Sequence, residues 1–360
     1  MGVFDGSSST DQHVGRRWRH DERAAALPLP VTTIGLVPAA LSRSVSAATR
    51  VLRAFVTGVV VVVGVATLLG LLDRAWWIFE TADVFRLQYL VVLVAAGLAA
   101  LLLRRPRLAV VAAALAAVNV AVLGVPLTGS VTAAPSRAAA PGLRLVVANV
   151  EVGNKDYAAV QRLAVQTHPD LFGVIELTPL MARHLGDGLT GYRTRVLETR
   201  DDAYGIGLYS RLPLLSAKVV RFPSGGPPTI VARLRVAGKP VTVVVTHVHT
   251  PFAGSIHVRH LDALAAAARS QLGRRVVVCG DFNTPPWSGP LRDFAADARL
   301  RDVYGSHAWA GYSWPTWGSI LRVPLDNCFL GNGLAVAAHH DGPNVGSDHR
   351  PLAVDIAVLK

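Results

Sequence analysis

Several polar residues stand where apolar, strand-like runs end, and their types suit chemistry. They are Asn149 closing LRLVVAN, Glu176 closing LFGVIE, His247 in VVVTHVH, Asp281 and Asn283 in VVVCGDFN, and Asp348 with His349 in GSDHRPL. A strand end delivers its last side chains to whatever cleft lies there. Carboxylates and carboxamides without clustered Cys or His offer an all-oxygen shell, which fits Mg²⁺ or Mn²⁺ better than zinc. Imidazoles add charged donors and general acid/base groups. Taken singly, each position has an ordinary structural reading. Glu176 could cap a helix or form an ion pair, and Asn149 suits a turn. His247 and His249 alternate onto one strand face as structural histidines would, and Asp348 with His349 could be a simple turn.

The pair at 281 and 283 carries a sharper expectation. Side chains at i and i+2 of an extended segment share a face, so Asp281 and Asn283 point into one cleft. There the carboxylate can activate a water and the amide can position it. A divalent cation beside them would polarise a bound substrate and suits the same residue types. Glu176 is the first choice of ligand.

The ordered set of Asn, Glu, Thr-His, GDFN, a later Asp and a final SDH resembles the endonuclease/exonuclease/phosphatase family over about residues 143–357. GDFNTPPWS and GSDHRP are its strongest pieces. The resemblance implies an α+β fold, a four-layer α/β/β/α sandwich, and a Mg²⁺-dependent phosphodiesterase or related phosphoester hydrolase. It implies catalytic roles for His247, Asp281, Asn283, Asp326 and His349, with Asn149, Glu176 and Asp348 at the metal. Asp326 in VPLDNCFL matches a carboxylate that orients His349; its structural reading is a strand-start turn. His247 fits the pattern better than His249 because an apolar residue follows it. Two places differ from the family: Asn327 and Cys328 follow Asp326, and Tyr204 or Gly205 stands where an Asn is usual. The substrate stays open among nucleic acid, phospholipid and envelope polymer. The alternative from another class is an inactive envelope module that binds phosphorylated ligands through the same cleft.

The elements that would position these residues are short β-rich runs and a few helices. LRLVVANV, LFGVIEL, IGLYS, TIVARLRV and PVTVVVTHV read as strands, and helices are expected near Asp156–Thr167, Ile256–Leu272 and Gly289–Ala298. Strands follow one another from Tyr192 to Thr246 without a helix, which argues for antiparallel pairing and a two-sheet sandwich over a doubly wound sheet. Tyr312, Trp314 and Trp317 crowd the loop before Asp326, as a packed aromatic loop or as a substrate wall.

The first third of the chain is different. Overall 51% of residues are hydrophobic and 17% charged, an excess concentrated in Ala54–Leu72, Leu87–Leu103 and Leu108–Leu127. Each is near the ~20 residues that span a bilayer core, the middle one being shortest. Buried helices of a soluble domain, a cleaved signal peptide for the first stretch and a transporter are weaker readings, because the stretches are apolar all round, two more follow the first, and none holds a charge. Arginines precede the first stretch and fill the hairpin Arg104–Arg107, whereas residues 73–86 are slightly acidic. By the positive-inside rule the chain is then a multi-pass cell-membrane protein with everything after the third span outside the cytoplasm.

The expected organisation is a disordered cytoplasmic tail 1–53, a three-span region 54–127, a Pro- and Ala-rich linker 128–141 and a catalytic domain 142–360. The net charge of +12 divides evenly between residues 1–140 and 141–360, too little to identify nucleic acid as substrate. Cys279 and Cys328 lie in apolar runs, where buried thiols are the ordinary reading; one bridge between them is geometrically allowed in an oxidising compartment. No motif indicates a protein partner.

Overall fold

Valine-rich runs make the central strands of the C-terminal region. VVVTH and VVVCGD are buried along their length, as β-branched residues are in strands covered on both faces. The structure is a computed structural model that describes residues 39–124, 142–270, 272–305, 311–318 and 320–359, with side chains from residue 47 onward. The expected linker and most of the expected tail lie outside the described residues. Thr49–Lys360 forms one compact unit; the described part of the other unit, Met1–Ala48, is the start of the first helix.

Twelve strands among the described residues form two six-stranded sheets. They are β1 (Leu143–Asn149), β2 (Leu171–Ile175), β3 (Thr194–Glu198), β4 (Ile206–Ser210), β5 (Leu214–Arg221), β6 (Pro228–Val236), β7 (Lys239–His247), β8 (Val276–Asp281), β9 (Arg301–Asp302), β10 (Asp326–Leu330), β11 (Leu334–Asp341) and β12 (Leu352–Val358). The sheets run β11-β12-β1-β2-β4-β3 and β5-β6-β7-β8-β10-β9. Leu145, Val147 and Leu208 from one meet Val243, Val245 and Val277 from the other in a shared core. Successive strands β3 to β7 pair antiparallel where they neighbour, as the absence of intervening helices implied.

Four helices close the outer faces. Those designated α5 (Tyr157–Thr167) and α6 (Pro179–Gly188) cover the first sheet, and α7 (Ser255–Ser270) and α8 (Gly289–Ala298) cover the second. The result is the expected four-layer α/β/β/α sandwich. Asp156 lies just outside α5 as its cap, accepting from the Ala159 amide at 2.9 Å.

Two pairs are parallel, β1 with β2 and β7 with β8. Their crossovers bring the C-terminal ends of each pair to the same edge of the sandwich. His247 registers with Asp281, and Asp281 with Asp326 at the start of β10. Gly280 is required here, since a Cβ would lie 1.8 Å from the Thr246 carbonyl oxygen. In the same β8–β10 pairing, Cys279 and Cys328 face each other in register and form a disulfide. This corrects the buried-thiol reading: direct cross-strand partners on one face are close enough to bond.

The apolar stretches are helices: α1 (Ala39–Leu69), α3 (Arg86–Leu102) and α4 (Pro106–Gly124). Ala47–Leu72 and Pro106–Gly124 are each long and apolar enough to cross a membrane, while α3 qualifies only jointly with α2 (Trp77–Asp83), from which it is bent by 60°. Two features differ from expectation. Helix α1 begins inside the expected tail, and the acidic segment 73–86 is a docked element of the catalytic region. The third stretch also carries a buried polar group, Asn119, which donates to Thr67 and accepts from Arg86.

Docking is through polar groups that no sequence pattern links. Glu80 Oε1 accepts from Thr284 Oγ1 at 3.0 Å, Ser288 Oγ at 3.2 Å and His257 Nε2 at 3.0 Å. Trp287 Nε1 donates to the Asp83 carbonyl at 2.9 Å, and Arg74 grips Asp293 with two bonds of 2.7 and 2.8 Å. Arg292 reaches the Val122 carbonyl at the end of α4.

Candidate active site

A cavity of about 360 Å³ opens where the strand ends converge, lined by Glu176, Tyr204, His247, Asp281, Asn283, Asp348 and His349 among others. Asn149 and Asp326 stand directly behind these residues. Asn149 Nδ2 bridges Glu176 Oε1 at 3.0 Å and Asp281 Oδ2 at 3.1 Å. All eight residues singled out in the sequence therefore meet at one place.

Asp281 is the hub. Its Oδ2 lies 3.6 Å from His247 Nε2 and 3.7 Å from His349 Nε2, and its Oδ1 accepts the Asn283 amide at 2.8 Å. Asn283 reaches the cleft by a route other than the expected one. The strand ends at Asp281, Phe282 is buried, and Asn283 has φ 55°, so a tight turn closed by the Asp281 carboxylate replaces extended alternation. Glu176 likewise sits at φ 62°. A non-glycine residue held there costs about 1–3 kcal/mol, which the surrounding bonds must offset. They include Val152 N donating to Glu176 Oε2 at 2.8 Å.

The two imidazoles are held differently. His247 Nδ1 donates to the Ala203 carbonyl at 2.8 Å, which leaves Nε2 to accept from Asn283 Nδ2 at 3.0 Å. His349 Nδ1 meets Asp326 Oδ2 at 2.7 Å. Burial opposes charge on His349, but the Asp326 and Asp281 carboxylates outweigh it and raise the imidazole to about 10. Burial pushes Asp326 up and His349 draws it back, so the pair keeps its proton on the ring. Ser313 fixes the backbone of Asp326, and Ser347 ties the SDH turn to the Asn149 carbonyl at 2.8 Å.

A sequence model of the Endonuclease/Exonuclease/phosphatase family matches residues 146–349. The chain belongs to that family. Its solved relatives share the fold at low identity. A structure of D. rerio TDP2 complexed with single strand DNA product is 16% identical, with TM-score 0.51, covering 60% of this chain and 99% of that one. Family proteins from Bacteroides vulgatus and Bacteroides thetaiotaomicron are 18% and 15% identical, each with TM-score 0.50, covering 60% and 61% of this chain and 98% and 95% of theirs. No curated protein matches the sequence.

The family's metal chemistry finds a suitable donor set. Asp281, Asp326 and His349 bring ligand atoms within 4.8 Å of one another, a group that could hold a metal ion. Glu176, Asp281 and Asp348 line the cavity without a single Lys or Arg among its described walls. Unbalanced carboxylates of this kind call for a cation. Asp326 Oδ1 is buried without a partner, yet the short Asp326–His349 bond spends that histidine on a carboxylate. The carboxylates of Glu176 and Asp281 are the better ligands; Asn149 turns its Nδ2 to both, its Oδ1 accepting from Glu151 N at 3.0 Å. Asp348 is committed elsewhere, its Oδ2 accepting from Trp314 Nε1 at 2.9 Å.

Sequence reasoning missed Glu151 behind the site, the Tyr204–His249 contact, and Thr81, Val84 and Phe85 in the cavity lining. Glu151 Oε2 accepts the Asp348 amide at 3.0 Å. Tyr204 hydrogen-bonds His249 Nδ1 at 2.8 Å and is itself raised by burial, which also lowers His249. Thr81, Val84 and Phe85 come from the helical region; the one signal for them was a carboxylate, Glu80, amid aromatic residues in WWIFETADVF.

Proposed function

We propose that this family member is a membrane-embedded, divalent-cation-dependent phosphoester hydrolase whose catalytic domain, residues 142–360, works outside the cytoplasm. The observation that carries the chemistry is the ring of groups around Asp281: Asn149, His247 and His349 all approach one carboxylate oxygen. Mg²⁺ or Mn²⁺ held by Glu176, with Asp281 beside it and Asn149 orienting both carboxylates, would neutralise phosphoryl charge and steady the leaving oxygen.

The chain's own residues supply the rest. Asp281 takes a proton from the attacking water. Asn283 aims that water with its amide oxygen, because its nitrogen is pinned between His247 and the Val248 carbonyl at 2.9 Å. His247 acts through Asn283, as a positioning residue. His349, charged and aimed by Asp326, donates from Nε2 to a phosphoryl oxygen. Two observations support the location: arginines flank the cytoplasmic sides of the spans in the topology read from the sequence, and the Cys279–Cys328 disulfide belongs to an oxidising compartment.

Release of p-nitrophenol from bis-p-nitrophenyl phosphate, with Mg²⁺ or Mn²⁺ and with EDTA, tests the reaction. Activity that survives both chelation and Asp281→Ala rejects this mechanism. A reporter at the C-terminus that works only in the cytoplasm rejects the topology.

A further inference from the structure

The lining of the catalytic cavity is mixed: beside the carboxylates and imidazoles it includes Val84, Phe85, Phe252, Trp314 and Leu325. Val84 and Phe85 form the corner between α2 and α3, so part of the apolar lining comes from the helical region. A second apolar feature lies beside it. Trp314 and Val323 pair in a hairpin whose tip exposes Trp317 at 73% and Ile320 at 81%, and the Arg322 carbonyl next to that tip accepts from Gln88 Nε2 at 3.1 Å. Gln88 lies in the first turn of α3. The hairpin therefore sits level with the beginning of an apolar helix. A third feature is Phe252, 68% exposed, which meets Trp77 edge-to-face at 5.6 Å; Trp76 packs on Trp77 and Phe79.

We infer that the substrate is the phosphoester of a membrane lipid, admitted to the cavity from the bilayer side. This rests on the hydrolase reading above and adds the substrate class to it. With α3 in a membrane, Trp317, Ile320 and the Trp76–Trp77–Phe252 group lie in the headgroup layer, where amphipathic aromatic rings are favoured. Exposed apolar groups that flank a cleft are then covered by lipid. Lipid tails lie along Val84 and Phe85, and the phosphate reaches Asp281 and His349. Nucleic acid is the poorer fit, because tracking a polyanionic backbone requires Lys or Arg along the groove and the described cavity lining has none. In the reaction, the water oxygen bonds to phosphorus as one P–O ester bond breaks. One proton of the water passes to Asp281 and on to solvent, the other stays on the new P–O bond's oxygen, and the departing alkoxide takes a proton from solvent, leaving a phosphate and an alcohol with the apolar product still in the bilayer.

The test uses the full chain in nanodiscs made of phosphatidylethanolamine, phosphatidylglycerol and cardiolipin in equal parts, with Mg²⁺ or Mn²⁺, products being identified by mass spectrometry. Bis-p-nitrophenyl phosphate and a single-stranded oligonucleotide are assayed alongside. The expected result is lipid hydrolysis at a higher kcat/KM than the oligonucleotide. Phe85→Ser and the exposed pair Trp317→Ser with Ile320→Ser should each cut lipid turnover at least tenfold more than turnover of the chromogenic ester; unchanged melting confirms folding of the exposed pair. Hydrolysis of the chromogenic ester without lipid hydrolysis, faster cleavage of the oligonucleotide, or equal losses on both substrates in the exposed pair overturns the lipid inference alone. Failure to hydrolyse any of the three overturns the hydrolase reading and this inference with it.

Discussion

At the residue scale, the Asp326–His349 pair sets the strongest constraint on mechanism. A histidine kept charged by a buried carboxylate acts as one unit with it, so removing either partner should remove most of the effect of both. Asp326→Asn and His349→Gln are each expected to lower kcat by ~10²–10⁴-fold, the range for a positioned proton-transfer or charge-donating group. The double variant should fall little further than the worse single one, and KM should move less than kcat. Steady-state kinetics on bis-p-nitrophenyl phosphate reads this directly, and fully additive losses would show the two residues acting apart. Asp326 was legible only through its match to a family motif; by itself LDN reads as the start of a strand. Asn283 was legible for a reason that did not hold: alternation put it beside Asp281, whereas a turn at positive φ brings it there.

At the element scale, strand ends were readable because valine-rich runs announce central strands and a polar residue closes each one. The parallel pairs β1–β2 and β7–β8 turn that pattern into a common edge for Asn149, Glu176, His247 and Asp281. Helix α2 was not readable. Its docking depends on one carboxylate meeting three donors from residues 257–288, partners that no local period links. Glu80 holds Thr284 and Ser288 just beyond the turn that presents Asp281 and Asn283, so Glu80→Ala should lower kcat ~10–100-fold by small displacement of that turn. It should also lower the melting temperature, since three buried donors lose their acceptor, while Glu80→Gln restores part of both. An Ala variant with wild-type kcat would leave α2 as a packing element alone. The disulfide was equally hidden, because cross-strand register is invisible in either run by itself. Cys279→Ser with Cys328→Ser should cost about 2–4 kcal/mol in denaturant unfolding, as expected when a loop of this length loses its closure. Unchanged stability would count against the bridge.

At the scale of the whole molecule, buried titratable groups of opposite tendency set the dependence of stability on pH. His260 in α7 is fully buried with both ring nitrogens lacking a hydrogen-bond partner, and burial lowers it to about 3. Its folded form resists the proton that the unfolded chain accepts below about 6.5. The stability it contributes is therefore full above that value and is lost as pH falls toward 3. Asp302 at the edge of the second sheet has the reverse sign. Burial raises it to about 7, so its contribution is full below the ordinary carboxylate value near 3.9 and is lost as pH rises toward 7. Between about pH 4 and 6.5 the two slopes oppose each other, and the wild-type protein should show little change from this pair. Single variants should separate them. His260→Leu removes the acid-labile contribution, so its stability should rise on acidification relative to wild type. Asp302→Asn should do the opposite, each by up to about 1.4 kcal/mol per pH unit for one proton. Urea unfolding of the full chain in detergent across pH 4 to 7 measures both slopes, and parallel curves for wild type and His260→Leu would mean that His260 takes up its proton without unfolding.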